Sequence, residues 1–283
     1  MFKFTVGQNV DGELTTFSVH EEAIAALSQP LHTLMRSGLS ESETGHAIWE
    51  DVSKDTFVRF AQFAYTGDYS VPALATRETA VLDGEKIADA EQIAVAIPAY
   101  VYVSEDEVEP FGGGYGEKPE KKKKGKKGLV KEESPPDTAW VRFQEAITEF
   151  PTFRKNSVYQ YDPPSSFEPD KSYSSAFIGH ASLWVMGNYR LVDSLKILAL
   201  YKLHSTLAIF RITEKNVGDV VDLVRYAYSE EGAGIEEGTS GLRNLVCLFL
   251  VIHQRALCQD DGFMDLLGEG GQFVKDFFKY STV

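Results

Sequence analysis

The most constraining feature of the sequence is an ordered series of strand and helix signals in residues 13–69. Residues 14–19, like residues 2–6 before them, alternate between apolar and polar side chains, which is typical of a half-buried strand. The acidic pair at 21–22 indicates the first turn of a short helix, because the exposed N–H groups there favour negative charge. Pro30 fits the first turn of a second helix. The sequence therefore predicts a hairpin followed by two short helices.

The remainder of this stretch adds a third strand and a longer helix. We predict a polar loop over residues 39–45 and a strand over residues 47–52, where β-forming residues lie between turn residues. The next helix begins at Lys54 and ends near Gly67. Its apolar stripe contains Phe57, Phe60, Ala61 and Ala64.

The order of these elements, with these residues, resembles the BTB/POZ domain, in particular the variety common in fungal proteins. The matching segments are residues 17–20, Ser28, and residues 39–42, 48–52 and 57–69. Residues 180–185 and 198–203 resemble the two closing helices of the same fold. The resemblance implies an α+β fold in which helices cluster on a small sheet. It is weaker evidence for a function, because one fold hosts many functions.

The same resemblance divides the chain into three parts. The BTB/POZ domain takes residues 1–69 and 173–212, a large insertion takes residues 70–172, and a helical extension takes residues 213–283. The insertion is rich in lysine at positions 118–131. Such a segment cannot bury enough apolar surface to offset its ordering entropy, so we expect it to be partly disordered and largely flexible.

Several more helices are predicted from apolar stripes at helical spacing. Within the insertion, one such helix docks on the folded body and contains Trp140, Phe143, Ile147 and Phe150. A second helix within the insertion is predicted at residues 87–102. The helices predicted after the insertion cover residues 191–209, 217–228, 242–257 and 273–280.

Charge and hydropathy exclude several classes of function. A formal net charge of -14 and a pI near 4.9 argue against direct nucleic-acid binding, which needs clustered Lys and Arg. Residues 1–7 lack the pattern of a signal peptide, and the longest apolar run, residues 245–252, is far shorter than the roughly 20 residues that cross a bilayer. The two cysteines, Cys247 and Cys258, suit a reducing compartment. We expect a soluble intracellular protein, cytoplasmic or nuclear, without a membrane partner.

No catalytic or metal-binding constellation is visible in the sequence. Cys247, His253 and Cys258 are too few for a zinc site and fall on different helix faces, so we expect them to be buried or half-buried structural residues. None of the six histidines lies beside a Ser or Cys in a nucleophile context. We therefore expect a protein that binds other proteins, is not an enzyme, and uses no cofactor and no metal.

One short motif points to a specific partner. The BTB proteins that recruit a cullin ubiquitin-ligase scaffold carry a hydrophobic residue, any residue and Glu before the third strand, and here Leu39, Ser40 and Glu41 match. A hydrophobic anchor suits a partner pocket, and a carboxylate at its rim fixes the register. The resemblance thus implies a substrate adaptor for a cullin-based ubiquitin ligase. An ordinary surface loop is the alternative interpretation.

The resemblance also implies a homodimer that forms through the first strand and the first helix. The residues implied are Phe2, Phe4, Ile24 and Leu27. The second hypothesis for function is accordingly a homo-oligomerising scaffold or a transcription-associated regulator without a ligase role. A basic cluster would then serve nuclear import, unless it is a solvated flexible run; it consists of Lys121, Lys122, Lys123, Lys124, Lys126 and Lys127.

Overall fold

Three short strands form the first sheet of a mixed α+β structure, which is mostly helical. The computed structural model describes residues 1–7, 14–38, 40–77, 138–147, 162, 164–229 and 241–282. Strand β1 (Phe2–Val6) pairs antiparallel with β2 (Thr15–Val19) and parallel with β3 (His46–Trp49). The order β2-β1-β3 places β1 at the centre of the sheet. Phe4 of β1 lies opposite Phe17 and is fully buried, because alternate residues of the strand face the core.

Four helices accompany this sheet, and their ends follow ordinary capping rules. They are α1 (Glu21–Ala25), α2 (Gln29–Arg36), α3 (Ser40–Thr44) and α4 (Lys54–Thr66). The Ser28 hydroxyl caps α2 by accepting a hydrogen bond from the N–H of Leu31 at 3.4 Å. Gly67 ends α4 in the left-handed conformation, with φ of 81°.

Two of the sequence predictions for this region need correction. The polar loop predicted over residues 39–45 contains the short helix α3. Its first turn is acidic, with Glu41 and Glu43, which the N–H groups of a helix start favour. The third strand ends at Trp49, because residues 50–52 form a turn rather than extended backbone.

The chain enters and leaves the insertion through a two-stranded neck. Strand β4 (Ala75–Thr76) pairs antiparallel with β5 (Lys171–Ser172). Beside this pair, the Arg77 guanidinium forms a salt bridge with Asp219, which is buried. The same carboxylate accepts hydrogen bonds from the Ser172 hydroxyl at 2.9 Å and from the N–H of Tyr173 at 2.8 Å. One buried carboxylate thus holds both ends of the insertion together.

The helix predicted within the insertion is present as α5 (Thr138–Glu145). Its Phe143 is fully buried, and Ile147 just after it is 8% exposed, so the helix does dock on the folded body. It ends earlier than the apolar spacing predicted, and Phe150 lies outside the described residues. The helix predicted at residues 87–102 also lies outside the described residues. The described residues all belong to a unit built from residues 1–78 and 136–283.

Two long helices follow the neck and pack on each other. Helix α6 (Ser174–Tyr189) packs against α4 and against α7 (Asp193–Ile209). The sequence predicted that the second of these begins at residue 191. It begins two residues later, because Leu191 has a φ of 52° and cannot belong to a right-handed helix.

Five helices are described in the remainder of the chain. They are α8 (Val217–Tyr228), α9 (Leu242–Ile252), α10 (Gln254–Leu257), α11 (Asp261–Gly268) and α12 (Gly271–Ser281). The single helix predicted over residues 242–257 is interrupted at His253. Helix α11 was not predicted, because two glycines weaken its pattern. Its start is nevertheless capped, since the Asp260 carboxylate accepts from the N–H of Phe263 at 3.0 Å.

A buried polar cluster joins the end of α4 to α6 and α7. The Asp68 carboxylate accepts a hydrogen bond from Nζ of Lys202 at 2.5 Å, and Lys202 also donates to the backbone carbonyl of Tyr69 at 2.8 Å. The Tyr69 hydroxyl lies 2.8 Å from Nδ1 of His180. All four side chains are almost fully buried. We call Asp68, Tyr69, His180 and Lys202 the buried cluster.

Burial decides the charge states in the buried cluster. It lowers the pKa of His180 to about 3, and the positive charge of Lys202 acts in the same direction. Burial also lowers the pKa of Lys202, which the hydrogen bond to Asp68 opposes. The imidazole is therefore neutral at neutral pH, and the carboxylate lies beside its ammonium partner. A buried charge of this kind is tolerated only when it is paired in this way.

Candidate functional site

An exposed leucine and the outer face of α2 form an apolar groove on the surface. The groove has a volume of about 490 Å³ and is lined by Gln29, Pro30, Thr33, Leu34 and Leu191. We call it the α2 groove. Four of these residues come from α2, whereas Leu191 comes from the turn between α6 and α7.

Leu191 combines two unfavourable properties. It is 60% exposed, and it is the one residue other than glycine with a positive φ in the described part of the chain. It stands directly after the last turn of α6, where the N–H of Val192 donates to the carbonyl of Gly187 at 2.8 Å. Helices often end in this way with glycine at the left-handed position, because glycine has no Cβ to clash. Here a large apolar side chain takes that position.

The turn that carries Leu191 is fixed to the rest of the fold by Arg190. The Arg190 guanidinium lies 4.1 Å from the ring centroid of Trp49 and 3.4 Å from the Asp51 carboxylate. Its backbone carbonyl accepts a hydrogen bond from the Ser28 hydroxyl at 2.7 Å. Burial lowers the pKa of Arg190, and the charge of Asp51 opposes that shift. Because Ser28 also caps α2, one hydroxyl joins the two sides of the α2 groove.

The strained position of Leu191 has an energetic cost. A left-handed residue with a Cβ costs roughly 1–2 kcal/mol relative to the right-handed conformation. Such strain persists where the surrounding structure imposes it, and it is concentrated at functional positions. Leu191 also leaves most of its apolar surface in water. An exposed apolar side chain at the edge of an apolar groove is a candidate contact for a partner.

Two of the three motif residues, Ser40 and Glu41, lie on helix α3, which packs against α2. The Glu41 carboxylate accepts a hydrogen bond from the Ser40 hydroxyl at 2.9 Å; the backbone N–H of Glu41 and this bond both lower the pKa of that carboxyl. Glu41 is therefore ionised at neutral pH. Leu39 lies outside the described residues.

The residues predicted for self-association are placed differently from the expectation. Phe2, Phe4 and Ile24 are 2%, 0% and 0% exposed, so a second copy cannot reach them while the fold is intact. Leu27 is half-buried and packs against the core. In addition, β1 is the central strand, so both of its edges are already paired. Phe2, Phe4 and Ile24 are core residues of the single chain, and self-association through this set stays a prediction.

The basic cluster predicted for nuclear import is the remaining candidate site. Residues 121–127 lie outside the described residues. Nuclear import therefore stays a prediction from the sequence.

The sequence alone did not identify Leu191 or Arg190 as site residues. The sequence indicates a helix that contains Phe177 and Met186 and is followed by a turn at residues 187–189, whereas the helix continues to Tyr189 and the left-handed residue is Leu191. Pro30 and Leu34 were recognised only as parts of a helix. A helix that carries an apolar side chain on its outer face is a signal that could have found the α2 groove.

Other chemistry is limited in the part of the chain that the structure describes. No group of three or more His, Cys, Asp or Glu side chains there is arranged to hold a metal ion. Cys247 is buried, and burial raises the pKa of its thiol to about 12. Cys258 is exposed, which corrects the prediction that it is buried. None of the described helices is both long and apolar enough to cross a membrane.

Comparisons with known proteins give no relative of this chain. No protein-family model matches it, and no curated protein or solved structure is significantly similar to it. A function for this chain is therefore inferred from its own residues and their geometry.

Proposed function

We propose that this chain is a protein-interaction module of the BTB/POZ type and that its docking surface is the α2 groove. The observation that carries the proposal is Leu191, which is both left-handed and 60% exposed. It holds an apolar anchor in water at the cost of backbone strain. Apolar anchors of this kind supply most of the binding energy of an interface when a partner covers them.

The proposed partner is the scaffold of a cullin-based ubiquitin ligase, for which this chain would be a substrate adaptor. The support is the match of the motif and the position of Glu41 on α3, which packs against α2, the helix that forms most of the groove; its carboxylate is ionised. Further acidic side chains, Glu21 and Glu22, stand on α1, which also packs against α2, although both pair with Arg36. A partner segment with an apolar side chain and neighbouring basic residues is complementary to this surface.

The test is a pull-down with the full chain, in which bound proteins are identified by mass spectrometry. We expect wild type to retain a cullin, and we expect Leu191→Asp and Glu41→Lys to lose it at least tenfold. Met264→Asp is the matched control, because Met264 is 47% exposed on α11 and far along the chain from the groove. It should retain the cullin at the wild-type level.

Two results would contradict the proposal in different ways. A cullin that binds equally to wild type and Leu191→Asp would show that the α2 groove is not the docking surface. A wild-type sample that retains no cullin but retains another protein lost from Leu191→Asp would keep the docking surface and reject the ligase role.

A self-associating scaffold, with or without a role in transcription, is the second candidate. The observation that favours it is β3, which lies at an edge of the sheet and leaves Ile48 58% exposed. Edge strands with apolar residues pair readily with a second chain. Light scattering coupled to gel filtration distinguishes the cases. A dimer that becomes a monomer in Ile48→Lys would support the scaffold, and a monomeric wild type would reject it.

A further inference from the structure

Helix α5 lies in a groove made by three helices of the folded body. Its Phe143 ring stacks on the His204 ring of α7, with 4.5 Å between the ring centroids and 24° between the planes. The same ring lies 6.1 Å from that of Phe249 on α9. The Arg142 guanidinium lies 5.4 Å from the ring centroid of Tyr280 on α12. We call the surface formed by His204, Phe249 and Tyr280 the α9 groove.

The attachment of α5 differs from that of the other docked helices. Its extensive packing is against α9 alone, whereas α9 itself packs against α5, α7, α8 and α12. The contacts to α7 and α12 are made by the side chains of His204 and Tyr280. A backbone contact is also present, because Nε2 of His204 lies 3.2 Å from the carbonyl of Phe143. A short helix that packs extensively on one neighbour and touches two others only through single side chains is among the first units to open.

The length of α5 shows that the groove holds it in helical form. It has 8 residues, whereas isolated helices shorter than about 12–15 residues are marginal in water. Within α5 itself, Phe143 is buried, and Trp140, three positions before it, is half-buried and packs against the core. This is the spacing by which an amphipathic helix places its anchors in an apolar groove.

We propose that the α9 groove is a helix-binding site and that α5 is its internal, displaceable occupant. The external partner it fits is an amphipathic helix with two aromatic residues three positions apart, as Trp140 and Phe143 are. A basic residue directly before the second aromatic one would repeat the contact of Arg142 with Tyr280. We expect the body to keep its fold when α5 leaves, because α9 also packs against α7, α8 and α12. This proposal does not depend on the α2 groove or on a ligase role.

The first test releases α5 in the full chain with Phe143→Asp, which places a charge where the ring is buried. Hydrogen exchange should accelerate at least tenfold in residues 138–147 and remain unchanged in α9 and α12. Gln144→Asp is the matched control, because it adds the same charge next to Phe143 on an exposed position of α5, and it should leave exchange unchanged. Loss of protection throughout α9 and α12 would overturn the proposal, since α5 would then be an integral part of the core.

A second readout follows His204 by NMR titration. Burial lowers the pKa of His204 to about 4 in the docked state. In Phe143→Asp this pKa should rise towards the ordinary value of about 6.5, because release of α5 exposes the ring. An unchanged pKa in a folded variant would mean that α5 does not cover His204 in solution.

The final test supplies the occupant from outside. A fluorescently labelled peptide of residues 136–147 is titrated into the full-length Phe143→Asp chain and into wild type, and anisotropy is measured. The open groove of the variant should bind the peptide at least tenfold more tightly than wild type, in which α5 competes. The same peptide with Phe143→Asp should not bind. Equal binding to both chains, or binding to neither, would overturn the proposal.

Discussion

The buried cluster and the α2 groove both contain side chains that are unfavourable in the place where they lie. The cluster buries charges, whereas the groove exposes an apolar side chain. In the buried cluster, Asp68 and Lys202 remove two charges from water, and each finds its partner inside the fold. In the α2 groove, Leu191 keeps an apolar side chain in water and adds backbone strain, and the fold offers it no compensation of similar size. Both features cost free energy of folding, but only the buried charges are offset by contacts within the chain.

This difference is the reason why we propose a structural role for the buried cluster and a binding role for the α2 groove. A polar group that is buried and paired fixes the relative positions of the elements that carry it, which here are the end of α4, α6 and α7. A strained and exposed apolar group fixes nothing, because removing it would relieve the chain. The buried cluster should therefore respond to substitution through stability, and the α2 groove through binding.

The largest effect is expected from Asp68→Asn, which leaves the Lys202 ammonium buried beside a neutral group. The variant should lose about 3–5 kcal/mol of unfolding free energy, because an unpaired buried charge is far less stable than a paired one. The measurement is urea unfolding followed by circular dichroism.

The control for this prediction is Asp55→Asn, whose carboxylate lies 3.9 Å from Arg59 and is mostly exposed. It should unfold at the wild-type urea concentration, because exposed ion pairs contribute little. The double variant Asp68→Asn with Lys202→Met should recover much of the lost stability. A loss below about 1 kcal/mol in Asp68→Asn would show that the pair does not hold the elements together.

A smaller effect is expected from the pH dependence that His180 confers. Its folded-state pKa of about 3 lies below its ordinary value of 6.5, so the unfolded chain binds the proton more readily. This contribution is complete above pH 6.5 and is lost as the pH falls towards 3. Between pH 7 and pH 5 it amounts to about 2 kcal/mol. His180→Gln should therefore flatten the acid side of the stability curve by about that amount.

Urea unfolding at pH 7, 6 and 5 measures this effect, and His32→Gln is the control, because His32 is exposed. Burial also lowers the pKa values of His204 and His253 to about 4, so acid sensitivity should be reduced in His180→Gln but not abolished. If His180→Gln and wild type lost the same free energy between pH 7 and pH 5, the imidazole would not be buried in solution.

The smallest effect on stability, and the one of opposite sign, is expected from Leu191→Gly. Glycine relieves the strain of the left-handed position but loses more chain entropy on folding, so the net gain should be about 0.5–1 kcal/mol. Partner binding should fall, because the apolar anchor is gone. Thermal unfolding and the pull-down measure the two properties separately. If Leu191→Gly lost stability and still bound its partner, the α2 groove would act through stability, as the buried cluster does, and the contrast between the two would fail.

The local elements of the first stretch followed from the sequence. The strands β1 and β2, the Pro30 start of α2 and the glycine end of α4 depend on neighbouring residues, and the structure confirms each of them, although β1 buries Thr5 as well as Phe4 and Val6. The exact position of the turn at Leu191 and helix α11 did not follow, because neither has a clear local signal. The turn is imposed by contacts with residues distant in sequence, such as that of Ser28 with the Arg190 carbonyl.

The candidate site was predicted only in part. The sequence directed attention to Ser40 and Glu41, and the structure adds the α2 groove, which the sequence did not identify. Phe2, Phe4 and Ile24, which the sequence offered as interface residues, lie in the core of the single chain. Sequence alternation shows that a residue is apolar and lies on one face, but it does not show whether that face meets the same chain or another one.

By itself, the sequence determined an α+β arrangement with most of its helices and strands, because capping and periodicity act over a few residues. Only the tertiary structure decided which apolar side chains remain exposed, which charges are paired and where the insertion is held. Asp68 meets Lys202 across 134 positions, and Arg77 meets Asp219 across 142. Contacts of that separation depend on how whole helices pack, and no local pattern encodes them.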